Sequence, residues 1–165
     1  MSASLTSRIS LLHNSFVTIL NYGQSPLLLA IRLYWGWQFA QSGWGKLHHL
    51  DRVTDFFTTL NLPQPHLTAI LISLLELVGG ILFALGIGSR VISLVLFVNM
   101  TFAFWIAEKD AFLQVLSDPD KFTGAAAYNF WFATLIILVF GPGFWAFDTL
   151  LSRLFRNSDS RLWVK

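Results

Sequence analysis

The sequence predicts an all-α membrane protein, a four-transmembrane-helix bundle with an N-terminal amphipathic interfacial helix. Three observations carry this reading. Of 165 residues, 55% are hydrophobic and only 12% are charged, about half the ~25% that covers an ordinary soluble domain. Four apolar stretches approach the ~20 residues needed to cross a bilayer core of ~30 Å. Aromatic residues make up 16% of the chain, with 16 Phe and 7 Trp, as suits a lipid-facing surface with interfacial anchors. The same numbers argue against a soluble globular domain and against a disordered chain. A net charge of +2 gives no basic patch for nucleic acid, so no such partner is expected. There is no cysteine, which rules out disulfides, thiolate-bound metals and thiol chemistry carried by this chain.

Residues 1–25 come first. Leu5, Ile9, Leu12, Phe16 and Leu20 recur at helical spacing, with Ser7, Ser10, Asn14, Ser15 and Asn21 opposite. That pattern describes a helix lying in the membrane interface. It lacks the basic start and unbroken apolar run of a secretory signal, so it is expected to be retained. Residues 26–150 hold the spans: Pro26–Trp44, His66–Ile87, Arg90–Ala107 and Tyr128–Leu150. Gly141-Pro142-Gly143 signals an end or a kink in the last of these. The first connection carries Lys46, His48, His49, Asp51, Arg52 and Asp55, then the turn Leu62-Pro63-Gln64-Pro65, with Val53–Leu60 as a short surface helix. Gly88-Ser89 is a tight hairpin, and in the third connection Asp118 before Pro119 is a turn or N-cap signal. Residues 151–165 form a basic tail suited to anionic lipid.

Charge sets the expected orientation. Arg8, Arg90, Arg153, Arg156, Arg161 and Lys165 fall on the side of both termini, against Lys46, Arg52, Lys109 and Lys121 on the other. Six cations against four favour N-in/C-in.

Polar residues inside the spans are the informative ones. Arg32, Glu76 and Asn99 lie ~9, ~15 and ~13 Å from the starts of their helices at 1.5 Å per residue. A charge at that depth costs roughly 2.5–3.5 kcal/mol, so such groups face the bundle and pair. Each shares a stripe with small residues, among them Gly36 and Gly43 on the first helix and Gly79 and Gly80 on the second. Small residues let membrane helices approach closely. The first three spans are therefore expected to meet around Arg32, Glu76 and Asn99. Side chains on helices tilt toward the N-terminus, which leaves alternatives open. Arg32 snorkels toward the cytoplasmic side, and Glu76 turns to Lys46 or holds a proton. Gln38 and Gln41 occupy another face and suit a neighbouring helix or a partner. Trp44, Trp105, Trp131 and Trp145 read as interfacial anchors. His48, His49, Asp51 and His66 lack the i, i+3 or i, i+4 spacing that puts two ligands on one helix face, so no metal is expected.

Several motifs resemble one family. Arg32-Leu33-Tyr34-Trp35-Gly36-Trp37 and Ser42-Gly43-Trp44-Gly45-Lys46-Leu47 look like the opening helix of DoxX-type membrane proteins. Leu62-Pro63-Gln64-Pro65, Glu76-Leu77-Val78-Gly79-Gly80 and Leu85-Gly86-Ile87-Gly88-Ser89-Arg90 continue the match, and Ser117–Phe122 and Phe140–Gly143 resemble one subgroup. The resemblance covers about Leu27 to Leu150. It implies a four-helix protein of the bacterial cytoplasmic membrane, with the family's charged positions on Arg32, Lys46, Glu76 and Arg90. It further implies a membrane component of a quinone-linked or redox-stress oxidoreductase system. A quinone is then the expected cofactor, not covalently bound, with Glu76 the candidate proton-handling residue. The expected partners are the lipid bilayer and either an oxidoreductase subunit or further copies of the chain. The competing readings are a non-catalytic scaffold or assembly subunit and, behind it, a small-solute carrier.

Overall fold

The computed structural model describes residues 2–152, with the side chains of residues 2–15, 17–19 and 21 outside that description. The basic tail, with Arg153, Arg156, Arg161 and Lys165, therefore lies outside the described residues. So do the side chains of Leu5, Ile9 and Leu12.

Among the described residues every regular element is a helix: α1 (Ser2–His48), α2 (Leu50–Thr59), α3 (Pro65–Leu85), α4 (Ser89–Ala107), α5 (Lys109–Leu113), α6 (Pro119–Thr123) and α7 (Ala126–Phe140). The 21-residue α3 and 19-residue α4 are long and apolar enough to cross a membrane, and most of each stays uncovered by the rest of the protein. Apolar residues left bare along a whole helix need a lipid or a partner. α1 also has the length, but Arg32, Gln38 and Gln41 dilute its apolar character.

Two boundaries differ from expectation. No helix break separates residues 2–25 from the segment that begins at Pro26, because α1 runs unbroken through that proline. A proline inside a helix forfeits one hydrogen bond, here the one to the carbonyl of Tyr22. Tyr22 is exposed, so the lost bond does not leave a buried group orphaned. The last apolar helix stops at Phe140 and does not reach Leu150. Gly141 and Gly143 take φ of 81° and 80°, values that favour glycine, and Pro142 between them cannot donate to a helix. At 15 residues, α7 is ~22 Å long.

α1 packs mainly on α3 and α4 mainly on α7, both antiparallel. Glycine permits the first contact. A Cβ on Gly43 would strike the backbone of Ser73 and Leu77, and one on Gly36 the backbone of Gly80 and Ala84. Gly80 answers with a Cβ position against Ala40 and Gly36. Gly79 faces Leu96 of α4 instead. The core forms where the four long helices meet, around Phe39, Phe83, Leu96, Phe104 and Ile137. Phe130 of α7 locks onto Phe39 edge to face at 4.6 Å. Phe104 stacks on Phe122 at 5.3 Å, so the α5–α6 connection folds over the ends of α4 and α7.

The bundle thus has a loop end, holding α2, α5 and α6, and a hairpin end, holding residues 86–88 and 141–152.

Candidate functional site

Side-chain tilt decides which polar residues meet. α1 runs toward the loop end and α3 away from it. Lys46 therefore leans back along α1 toward the bundle centre, and Glu76 leans along α3 toward the loop end. They meet: Lys46 Nζ donates to Glu76 Oε1 at 2.5 Å and Oε2 at 2.6 Å. Ser42 Oγ donates to Oε2 at 2.8 Å. Glu76 is 1% exposed, while the Lys46 side chain keeps 32% of its surface.

Arg32 does not join them. The same tilt carries it to the hairpin end, where Nη2 donates to the Trp145 carbonyl at 2.9 Å. Its counter-charge is Asp148. Asp148 accepts from the backbone N–H of Gly88 (2.8 Å) and Ser89 (2.7 Å), capping the start of α4. Asp148 thus joins the start of α4 to the guanidinium of Arg32 at the hairpin end. The expected meeting of Arg32, Glu76 and Asn99 is thus divided between two ends. Sequence reading missed Ser42 and Asp148. Asp148 had a signal, as the only acid between Tyr128 and Leu150.

Beside the Lys46–Glu76 pair lies a cavity of about 1010 Å³ between α3 and α4, roofed by Phe56, Phe57 and Leu60 of the α2 segment. It opens laterally, since Val95, Val98 and Phe102 on its α4 wall are exposed. Its lining is mainly apolar; the polar residues on it are Arg52 and Thr68 on the side of the α2 segment and Lys46, Glu76 and Asn99 at the head. Asn99 Nδ2 is buried there with no hydrogen-bond partner among the described residues. A buried amide donor left unpaired costs ~1–3 kcal/mol, and an acceptor placed in the cavity would remove that cost.

The remaining candidates are simpler. Trp131 is not a free interfacial ring: its Nε1 donates to Thr101 Oγ1 at 3.1 Å. Trp44, Trp105 and Trp145 are exposed. Gln38 donates to Tyr34 of its own helix at 3.3 Å, and Gln41 is exposed. His66 contacts Thr54 at 3.3 Å. Among the described residues no group of three His, Asp or Glu is placed to hold a metal.

Residues 27–109 match the DoxX family model, just over half of the chain. No curated protein and no solved structure matches.

Proposed function

The chain belongs to the DoxX family, and from that premise we propose that it is a multi-pass protein of the bacterial cytoplasmic membrane. In this reading it serves as the membrane component of a quinone-linked redox system. Its four spans are α1 from Pro26 onward, α3, α4, and α7 with the apolar residues that follow it, oriented N-in/C-in. The exposed apolar residues along all four helices support the four spans, and the excess of cations on the side of the termini supports the orientation.

The observation that carries the ligand reading is Asn99 Nδ2, buried and unpaired at the head of a lateral apolar cavity. A quinone fits these residues. Asn99 offers a donor to a ring carbonyl, the third N–H of Lys46 offers another, and the apolar walls take the tail. When bound, a quinone supplies acceptance of electrons and protons. The chain's own residues then do three things. The α2 roof keeps water off the head, Asn99 orients the ring, and Glu76 holds Lys46 in place through both carboxylate oxygens. Arg32 stands outside this site and ties the hairpin end together.

The test uses protein purified from its native membrane in mild detergent. Lipid extracts are read by absorbance and mass spectrometry, and tryptophan quenching follows titration with a short-tailed quinone. The expected result is a stoichiometric quinone in the wild type and its loss in Asn99→Leu. The alternative, a scaffold or assembly subunit, draws on the closed Lys46–Glu76–Ser42 cluster, which leaves Glu76 no idle oxygen. An empty protein that co-purifies with an oxidoreductase subunit, or with further copies of itself, would favour that alternative.

A further inference from the structure

A second cavity, of about 210 Å³, lies on the other side of the Lys46–Glu76 pair, inside the bundle. Phe39 and Ser42 of α1, Met100 of α4, and Ala127 and Phe130 of α7 wall it. Lys46, Glu76, Ala103 and Ala107 line both this chamber and the lateral groove, so the ion pair is the partition between them. The chamber reaches the surface at the loop end, where Ala107 and Ala126 are exposed. Glu108 stands at that mouth, accepting from the backbone N–H of Ala126 at 3.0 Å and Ala127 at 3.1 Å. Ala107 and Glu108 also line a shallow surface depression with Lys109, Asp110 and Lys121. Groove, chamber and depression therefore form a series, and each neighbouring pair shares a charged residue.

We propose that the chamber is a water-filled route from the loop-end face to the Lys46–Glu76 pair. The candidate site then has two doors, an apolar one for a lipophile and an aqueous one at Glu108. Among mainly apolar walls, Ser42, Lys46, Glu76 and Glu108 give the chamber the polar groups that can hold water. Its volume admits about seven molecules at ~30 Å³ each. The charged groups facing it are Lys46 from α1, Glu76 from α3 and Glu108 from the end of α4, while the α7 wall is Ala126, Ala127 and Phe130. The Ser42 hydroxyl oxygen, which donates to Glu76 and can still accept, and the remaining lone pairs of Glu108 are partners for ordered water, which makes about three hydrogen bonds per buried molecule. The route stands on this geometry alone. Its use, exchange of protons between the loop-end face and a headgroup at Asn99, rests on the quinone reading above.

The chain contains no cysteine, so single cysteines report cleanly. Ser42→Cys and Ala127→Cys place a thiol in the chamber, Lys109→Cys on the open loop-end face, and Ala133→Cys in the packed core of α7. Each full-length variant is reconstituted in liposomes and reacted with a small, membrane-impermeant methanethiosulfonate carrying an ammonium group. The side that labels Lys109→Cys defines the loop-end face. The expected result is that both chamber thiols react from that side at least ~10-fold faster than Ala133→Cys, and more slowly than Lys109→Cys. Ala127→Cys removes none of the ion pair's hydrogen bonds, so it remains informative if Ser42→Cys disturbs Glu76. Labelling of Ala127→Cys no faster than Ala133→Cys, or only from the opposite side, overturns the route. The quinone titration reads the groove separately. Binding with unreactive chamber thiols removes the route and keeps the groove, and reactive thiols without binding do the reverse.

Discussion

Replacing Lys46 should harm the protein more than replacing Glu76, although the two residues form one ion pair. The asymmetry follows from burial. Glu76 is 1% exposed and holds three donated hydrogen bonds, at 2.5, 2.6 and 2.8 Å. Lys46→Met leaves that carboxylate buried with Ser42 as its only named donor. Stranding one member of a buried pair costs about 3–5 kcal/mol. Glu76→Gln strands an ammonium that keeps 32% of its surface and still finds an amide oxygen opposite. That loss is closer to one charge-assisted hydrogen bond, roughly 1.5–3 kcal/mol. For a chain of this size each kcal/mol moves the melting temperature by ~2–4 °C. Lys46→Met should therefore lower Tm by ~6–20 °C and Glu76→Gln by ~3–12 °C, with the double variant losing less than the sum. The assay is thermal unfolding in mild detergent at fixed pH, followed by tryptophan fluorescence. An equal or larger loss for Glu76→Gln, or strict additivity, would show that Lys46 does not stabilise the buried Glu76 carboxylate.

Asn99→Leu should leave Tm unchanged or higher, because it removes a buried unpaired donor worth ~1–3 kcal/mol, while it abolishes quinone quenching; a large drop in Tm would instead make Asn99 a structural group. Gly43→Ala should destabilise by at least ~1–3 kcal/mol, the cost of overpacking, since its Cβ meets α3 backbone that cannot move aside. Gly45→Ala, two residues on and facing open space, should stabilise by up to ~1 kcal/mol through helix propensity; the pair is compared in one melting experiment. Asp148→Ala removes the cap on Gly88 and Ser89 and should cost ~1 kcal/mol or more at neutral pH. An unchanged melting temperature in Asp148→Ala would show that the carboxylate does not hold the start of α4.

What the sequence determines by itself is everything that depends on local pattern. Apolar run length and sparse charge give an all-helical membrane chain. Small residues at helical spacing mark Gly36, Gly43 and Gly80 as the α1–α3 contact. Glycines around Pro142 mark a helix end. The order of motifs marks the family. The sequence also identifies Arg32, Lys46, Glu76 and Asn99 as the residues that need partners. Which partner each takes is a tertiary fact. Arg32 and Lys46 sit on one stripe of one helix, and both are credible mates for Glu76. The choice rests on two antiparallel helices whose side chains lean in opposite directions, so that Lys46 and Glu76 converge while Arg32 is carried to Trp145 and Asp148. No spacing rule encodes a contact between residues 113 apart, such as Arg32 and Trp145. The groove is likewise invisible in one dimension. It exists because α3 packs mainly on α1 and α4 mainly on α7, leaving a wedge between two helices that are neighbours in sequence.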